Sequence, residues 1–259
     1  MRLKNKVIVV TGGTSGIGQA IAERCVAEGA RVLVHGIVRE DGEAVLKKLG
    51  QAAALHLDDL GDPASAGRIV AAALAAFGRV DAVVNKAAIV ARTNLESTSA
   101  EFFDRMMAVN VRGPLLLIQA AFAQLKANEG CVVNIGSINA HSGQPNLLDY
   151  SISKGALQTM SRNLANAHGT DRVRVNHLNV GWVLTAREYA HQIEHGMAAD
   201  WPQTVSAQYA PSGRLIMPEE IAAAAVYWLG DESRPVSGAV VELEQYSVIG
   251  RNPSKVADK

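Results

Sequence analysis

The chain lacks an excess of charge of either sign: 25 Lys and Arg stand against 25 Asp and Glu in 259 residues. A surface so balanced offers no electrostatic reason to bind nucleic acid or an anionic membrane. Cysteine is scarce. Cys25 and Cys131 form no ligand-spaced pair and no disulfide framework, so both read as small buried residues of a reducing compartment. No signal peptide follows Met1, and no apolar run approaches the roughly 18–20 residues of a membrane span. The expected location is the cytoplasm. Internal repeats, low-complexity tracts and linkers are absent. Aromatic residues make up only 5%. Small residues are plentiful instead, with 23 glycines, which points to helices packed closely on a sheet. The length suits a single domain, 1–259, whose core needs no disulfide or metal to hold it.

Short apolar runs alternate with longer amphipathic segments. Strands are expected at Val7–Thr11, Arg31–His35, Ala53–Leu57, Asp81–Asn85, Cys131–Ile135 with Ser137 at its end, Val173–Leu178 and Ala239–Leu243. Helices are expected at Ala20–Ala27, Glu40–Leu49, Pro63–Phe77, Ser97–Ala127, Tyr150–Ala167 and Glu219–Leu229. Apolar strands alternating with helices make βαβ units, hence a parallel sheet covered on both faces. Residues 182–215, polar and aromatic with Pro202, Pro211 and Gly213, break the rhythm and read as a lid over a binding site.

Two motifs carry chemistry. Thr11-Gly12-Gly13-Thr14-Ser15-Gly16-Ile17-Gly18 follows a strand and opens a helix. There, glycines let the backbone approach a pyrophosphate and the helix N-terminus offers free N–H groups. Tyr150-Ser-Ile-Ser-Lys154 puts a phenol and an ammonium on one helical face, where the cation favours the phenolate. A Tyr so tuned can exchange protons near neutral pH. Asn85 and Ser137 end strands, and Asn110 lies inside the long helical stretch. In an open α/β sheet, ligands bind at the strands' carboxyl ends, where the glycine-rich loop, Asn85, Ser137 and the lid all fall.

Thr11-Gly12-x-x-x-Gly16-x-Gly18, Asn110, Ser137 and Tyr150-x-x-x-Lys154, in this order and spacing, resemble the short-chain dehydrogenase/reductase family over nearly the whole chain. The resemblance implies a doubly wound, Rossmann-like seven-stranded parallel sheet, a nicotinamide cofactor and a homotetramer. It implies that Tyr150 exchanges a proton with the substrate oxygen, that Ser137 orients that oxygen, and that Lys154 lowers the Tyr150 pKa and holds the nicotinamide ribose. Asn110 would open its helix and hold a water leading from Lys154 to solvent. The cofactor would contact Gly12, Thr14, Ser15, Gly16, Ile17, Gly18, Gly36, Ile37, Arg39, Asp59 (as the adenine-contacting acid), Leu60, Asn85, Ala87, Tyr150, Lys154, Gly181, Val183 and Thr185 (at the carboxamide).

The chain departs from the family pattern in four places. Lys86 and Ala88 stand where the family has Asn and Gly, and Val180 replaces a Pro, freeing a backbone torsion. Gly36 replaces the Asp typical of NAD-preferring members, which tips the choice between NADP and NAD towards NADP. Ser137, Asn139, Gln144, Tyr150, Trp182 and Arg187 are the substrate-binding candidates, with Tyr189 and Trp201 beside them. Polar groups among flat aromatics suit a sugar, a polyol or another small polar alcohol. Alternatives are a 3-oxoacyl-thioester (acyl carrier protein) reductase and a redox-inactive nucleotide sensor. His191-x-x-Glu194-His195 also matches an inverted zinc-peptidase motif, but it falls within the lid and reads as lid surface; no metal is expected. The tail, Glu244–Pro253 with Arg251, resembles tails that cross a subunit interface.

Overall fold

The computed structural model describes residues 1–249, so the expectations for Arg251 and its neighbours in the tail lie outside the described residues. Seven strands, β1 (Val7–Thr11), β2 (Arg31–Gly36), β3 (Ala53–Leu57), β4 (Ala82–Asn85), β5 (Cys131–Ser137), β6 (Arg174–Val180) and β7 (Val240–Leu243), form one parallel sheet in the order β3-β2-β1-β4-β5-β6-β7. The helices are α1 (Gly16–Ala27), α2 (Arg39–Leu49), α3 (Ser65–Phe77), α4 (Ala100–Met107), α5 (Gly113–Ala127), α6 (Asn139–Ser142), α7 (Leu148–Ala167), α8 (Ala186–Glu194) and α9 (Pro218–Leu229).

The strands near β1 are mostly apolar because both faces of the sheet are covered, while β5 and β6 also bury polar side chains. Ile8, Val10, Val32, Val34 and Val84 meet Ile21 of α1, Val45 of α2 and Ile221 of α9. On the other face, Val9, Leu33 and Val83 meet Ile69 of α3 and Leu117 of α5. The chain winds outward from β1 to β3, then returns beside β1 to lay down β4. That reversal leaves a crevice at the carboxyl ends of β1 and β4.

Three expectations need correction. The Ser97–Ala127 helix begins at Ala100, because Ser99 caps it by accepting the Phe102 N–H at 3.2 Å. It then widens into a π-helical turn at Ala108–Arg112 before α5. The continuous helix Ala100–Ala127 is also long and apolar enough, by length and composition, to cross a membrane, although the sequence reading found no such run. Half of its most apolar stretch is buried, and α5 packs on α3, which makes it a core helix. Finally, Val180 is not freed by the absence of proline. It is the last residue of β6, aligned with Ser137 and Leu243, and its carbonyl accepts the Ile138 N–H at 3.1 Å.

Candidate active site

The glycine-rich loop joins β1 to α1 and forms one wall of the crevice. Gly12 has φ +61°, and a Cβ on it would lie 2.9 Å from the Ala87 Cα; one on Gly18 would lie 2.0 Å from the Gly12 carbonyl oxygen. The loop can close this tightly only without side chains. Thr11 ties it to the segment after β4: its Oγ1 accepts the N–H groups of Lys86 and Ala87 at 3.0 and 3.2 Å. Ser15 precedes α1 without a side-chain capping bond, and the first turn holds no acid. Its N–H groups are therefore left to meet an anion. This cradle, which a Cβ would fill, fits the pyrophosphate of a nicotinamide dinucleotide.

The other expected cofactor residues divide. Thr185 caps α8, accepting the Glu188 N–H at 3.0 Å, and its methyl lies 3.3 Å from where a Gly16 Cβ would stand. Val183 is buried and bridges to Ile216. A Gly181 Cβ would meet the Glu244 carboxylate, which accepts the Trp182 N–H at 3.1 Å. Gly36 is small for a steric reason: a Cβ there would lie 2.4 Å from the Thr14 methyl. Ile37 is exposed. Arg39 is exposed and lies 3.6 Å from Glu43 one turn on, so it runs along its own helix. Leu60 is buried. Asp59 is engaged by the Gly61 N–H and by Arg105, each within 2.9 Å, which hold its carboxyl below the usual range. Asn85 ends β4, and its Oδ1 has no hydrogen-bond partner among the described residues. It is buried, and its Nδ2 donates to Asn134 Oδ1 at 2.8 Å, linking β4 to β5.

Beyond the crevice, α7 carries Tyr150 and Lys154 one turn apart, with Lys154 Nζ 5.5 Å from the Tyr150 ring centre. Lys154 Nζ donates to the Ile135 carbonyl at 2.9 Å. The Ser137 hydroxyl is hydrogen-bonded to the Tyr150 phenol and accepts the Asn139 N–H at 3.2 Å. Asn110 sits in the π-helical turn. It accepts the Ile89 N–H at 2.8 Å and donates to the Ile89 carbonyl and to Ser153 Oγ, both at 3.0 Å. Ser153 in turn donates to the Tyr150 carbonyl at 2.7 Å.

The electrostatics correct one expectation. Burial pushes the Tyr150 phenol up to about 12, against the pull of the Ser137 hydrogen bond. Lys154 does not lower it here, because burial, and then the nearby Lys86 ammonium, draw Lys154 down to about 7. A buried amine that is half neutral gives the phenol little cationic support.

A model of the short-chain dehydrogenase/reductase family, described as enoyl-(acyl carrier protein) reductase, matches residues 12–244. The chain belongs to the short-chain dehydrogenase/reductase family. D-threitol dehydrogenase of Mycolicibacterium smegmatis is 35% identical, over 94% of this chain and 93% of that protein. The NADP-dependent (R)-specific alcohol dehydrogenase of Lentilactobacillus kefiri is 34% identical, over 92% and 94%. Among solved structures, 3-ketoacyl-(acyl-carrier-protein) reductase of Brucella melitensis, complexed with NADH, superposes with a TM-score of 0.82 at 29% identity, over 93% of this chain and 97% of that one. The protein is thus an NAD(P)-dependent oxidoreductase acting on alcohol and carbonyl groups.

The substrate side of this short-chain dehydrogenase/reductase differs from the sequence reading. Asn139 does not continue the extended period past Ser137; it opens α6, because its N–H turns back onto Ser137 Oγ. Gln144 is exposed on the following loop. Trp182 stacks on Trp201 at 5.5 Å and meets the edge of Tyr209 at 6.2 Å, while Tyr189 stacks on Trp201 at 6.3 Å. The indole N–H of Trp182 donates to Glu188 at 2.8 Å. Trp201 is buried in a small core with Ala210, Leu215 and the half-buried Trp182, while Tyr189 and Tyr209 pack against these rings and stay exposed. Arg187 is exposed in the first turn of α8. On the same helix, the rings of His191 and His195 are 4.2 Å apart, but His195 Nδ1 is bonded to the His191 carbonyl at 2.7 Å.

Sequence reasoning missed several participants. Ser153 joins Asn110 to the Tyr150 backbone. Between β5 and β6, a buried polar chain runs from Asn134 through Ser161 to His177 and Asn179, with links of 2.8–2.9 Å. Gly136 makes room for it: a Cβ there would lie 2.0 Å from His177 Nε2. His177 and Asn179, alternate residues of one strand, were the available signal: two polar groups on the same face of an otherwise buried strand.

Proposed function

We propose that this enzyme interconverts a secondary alcohol and its carbonyl compound on a sugar, a polyol or a similarly small polar substrate. The observation that carries the reading is the convergence of Ser137, Tyr150 and Lys154, with Asn110 tied through Ser153 to the Tyr150 backbone. Ser137 holds the substrate oxygen. Tyr150 gives or takes its proton, and Lys154 both supports the phenolate and holds the nicotinamide ribose. When bound, the nicotinamide supplies the hydride chemistry. The protein supplies orientation and charge. Anionic charge placed near Lys154 and Lys86 would favour their protonated forms, restoring the cation that the phenolate needs. The name of the threitol dehydrogenase relative supports a polyol.

We further propose a homotetramer, supported by Leu115 on α5 and Ile152 on α7, which are apolar and exposed. A reducing, cytoplasmic setting is supported by the two buried free thiols, Cys25 and Cys131. The test is an absorbance screen crossing NAD(H) and NADP(H) with polyols, sugars, hydroxy acids and oxoacyl thioesters. Turnover of polyols or sugars is expected. Activity confined to oxoacyl thioesters would reject the reading. Tyr150→Phe should abolish hydride transfer while NADH still binds; retained turnover would remove Tyr150 from its role.

A further inference from the structure

The short helix α6 begins two residues after Ser137, and the Ser137 hydroxyl is tied to it: the Asn139 N–H donates to Ser137 Oγ at 3.2 Å. A helix of four residues does not hold itself in place. It ends at Gly143, with φ +61°, and runs on into an exposed loop. On one side α6 packs against α7, where the Ala140 carbonyl oxygen lies 3.7 Å from where a Gly155 Cβ would stand. Its tie to the sheet is the side chain of His141, which is half-buried. Among the described residues, no other α6 side chain is hydrogen-bonded.

The sheet prepares a place for that side chain. Gly136, Asn179 and Glu242 are register partners across β5, β6 and β7, so they share one face. Gly136 leaves room for Asn179: a Cβ there would lie 2.4 Å from Asn179 Oδ1. Asn179 is fully buried. Its Oδ1 lies 2.9 Å from His177 Nε2, and its Nδ2 donates to Gln158 Oε1 at 2.6 Å and to His141 Nε2 at 2.9 Å. An amide nitrogen only donates, so His141 presents the Nε2 lone pair to it and carries its own proton on Nδ1. Glu242 Oε1 stands 3.3 Å from the same nitrogen, on the β7 side. Without His141, a buried N–H of Asn179 would lose its acceptor, and α6 would lose its side-chain tie to the sheet.

We propose that His141 is a positioning residue for Ser137. Bonded to Asn179, it pins α6 to the sheet and so fixes the Asn139 N–H that engages the Ser137 hydroxyl oxygen. With one lone pair of that oxygen occupied, the hydroxyl keeps a defined direction towards the Tyr150 phenol and the substrate oxygen. His141 acts through the turn and contacts no reacting atom. The inference rests on Ser137 holding the reacting oxygen, and it is the same for an alcohol and for an oxoacyl thioester.

The test compares wild type, His141→Leu, His141→Gln, Ser137→Ala and the double variant, each checked for folding by circular dichroism. The kinetic substrate is the alcohol or oxoacyl thioester with the highest kcat/KM in the absorbance screen, and the NADH Kd is read by fluorescence. His141→Leu should lower kcat about tenfold, the effect of one misdirected hydrogen bond, with the NADH Kd unchanged. His141→Gln, whose Oε1 can accept from Asn179, should stay within about threefold of wild type. In the Ser137→Ala background, His141→Leu should cost less than about twofold, because the group it positions is gone. A crystal structure of His141→Leu with NADH should show the Ser137 hydroxyl displaced from the Asn139 N–H. An unchanged kcat in His141→Leu, an equal loss in both backgrounds, or a Ser137 hydroxyl still on the Asn139 N–H would overturn the proposal. If His141→Leu does not fold, His141→Ala, which adds no apolar bulk, takes its place. The crystal structure needs no turnover, so it decides the role of His141 even if Tyr150→Phe remains active and the alcohol–carbonyl reading falls.

Discussion

Acidification should unfold this enzyme through two histidines before its carboxylates are heavily titrated. His35 and His177 are essentially fully buried. His35 lies at the end of β2, its Nε2 bonded to the Asp58 carbonyl at 3.0 Å, while its own carbonyl accepts the Gly13 N–H of the phosphate loop. His177 lies beside Asn134 of β5, hydrogen-bonded between Ser161 and Asn179. Burial lowers both imidazoles from 6.5 to about 4. The unfolded chain therefore binds protons that the folded one refuses, and stability falls as pH drops from about 6.5 towards 4, then levels off. Between pH 7 and 5 each histidine should remove about 2 kcal/mol, or about 4 kcal/mol for the pair. Against a total stability of about 5–15 kcal/mol, that is a large share. Urea denaturation of wild type and of His35→Gln and His177→Gln at the two pH values measures it. Each variant should show a pH dependence smaller by about 2 kcal/mol. A wild type that loses under about 1 kcal/mol, or variants that lose as much as wild type, would refute the argument.

Two further substitutions probe the crevice. Gly136→Ala drives a methyl into His177 Nε2 and Asn179 Oδ1. It should destabilise the fold by about 1–3 kcal/mol and lower kcat by displacing Ser137; thermal melts and steady-state kinetics would show both, and an unperturbed enzyme would refute the packing argument. Gly36→Asp alone should weaken both NAD and NADP, because the new Cβ collides with the Thr14 methyl. Combined with Thr14→Ala, it should shift preference towards NAD about tenfold or more, since a carboxylate repels the 2′-phosphate. Ratios of kcat/KM with the two cofactors test it.

The strands and the glycine-rich loop were legible because their signals are local. A run such as Val7–Val10 has few alternatives to a buried strand, and Gly12, Gly16 and Gly18 between strand and helix mark one kind of turn. Asn110 was legible only as a position in a motif; the π-helical turn that aims it at Ile89 and Ser153 arises from its contacts, which no periodicity encodes. The aromatics of the lid misled for a related reason. Trp182 and Trp201 are as compatible with a sugar platform as with a small core, and only the tertiary structure shows that Trp201 is buried with Trp182 stacked on it.

Composition and pattern alone thus determined a parallel, doubly covered sheet with a glycine-rich turn at its carboxyl edge and put Tyr150 and Lys154 one helical turn apart, while the role of Ser137 came from the resemblance to the family. The sheet, the turn and the helical spacing follow from rules of period and spacing that act over a few residues. Tertiary structure alone decided which polar groups are consumed in holding the fold and which remain for ligands. Asn85 donates to Asn134, and Asp59 accepts from Arg105. Charge and hydrogen-bond pairing depend on distances between residues far apart in the chain, and those distances exist only once the sheet has brought them together.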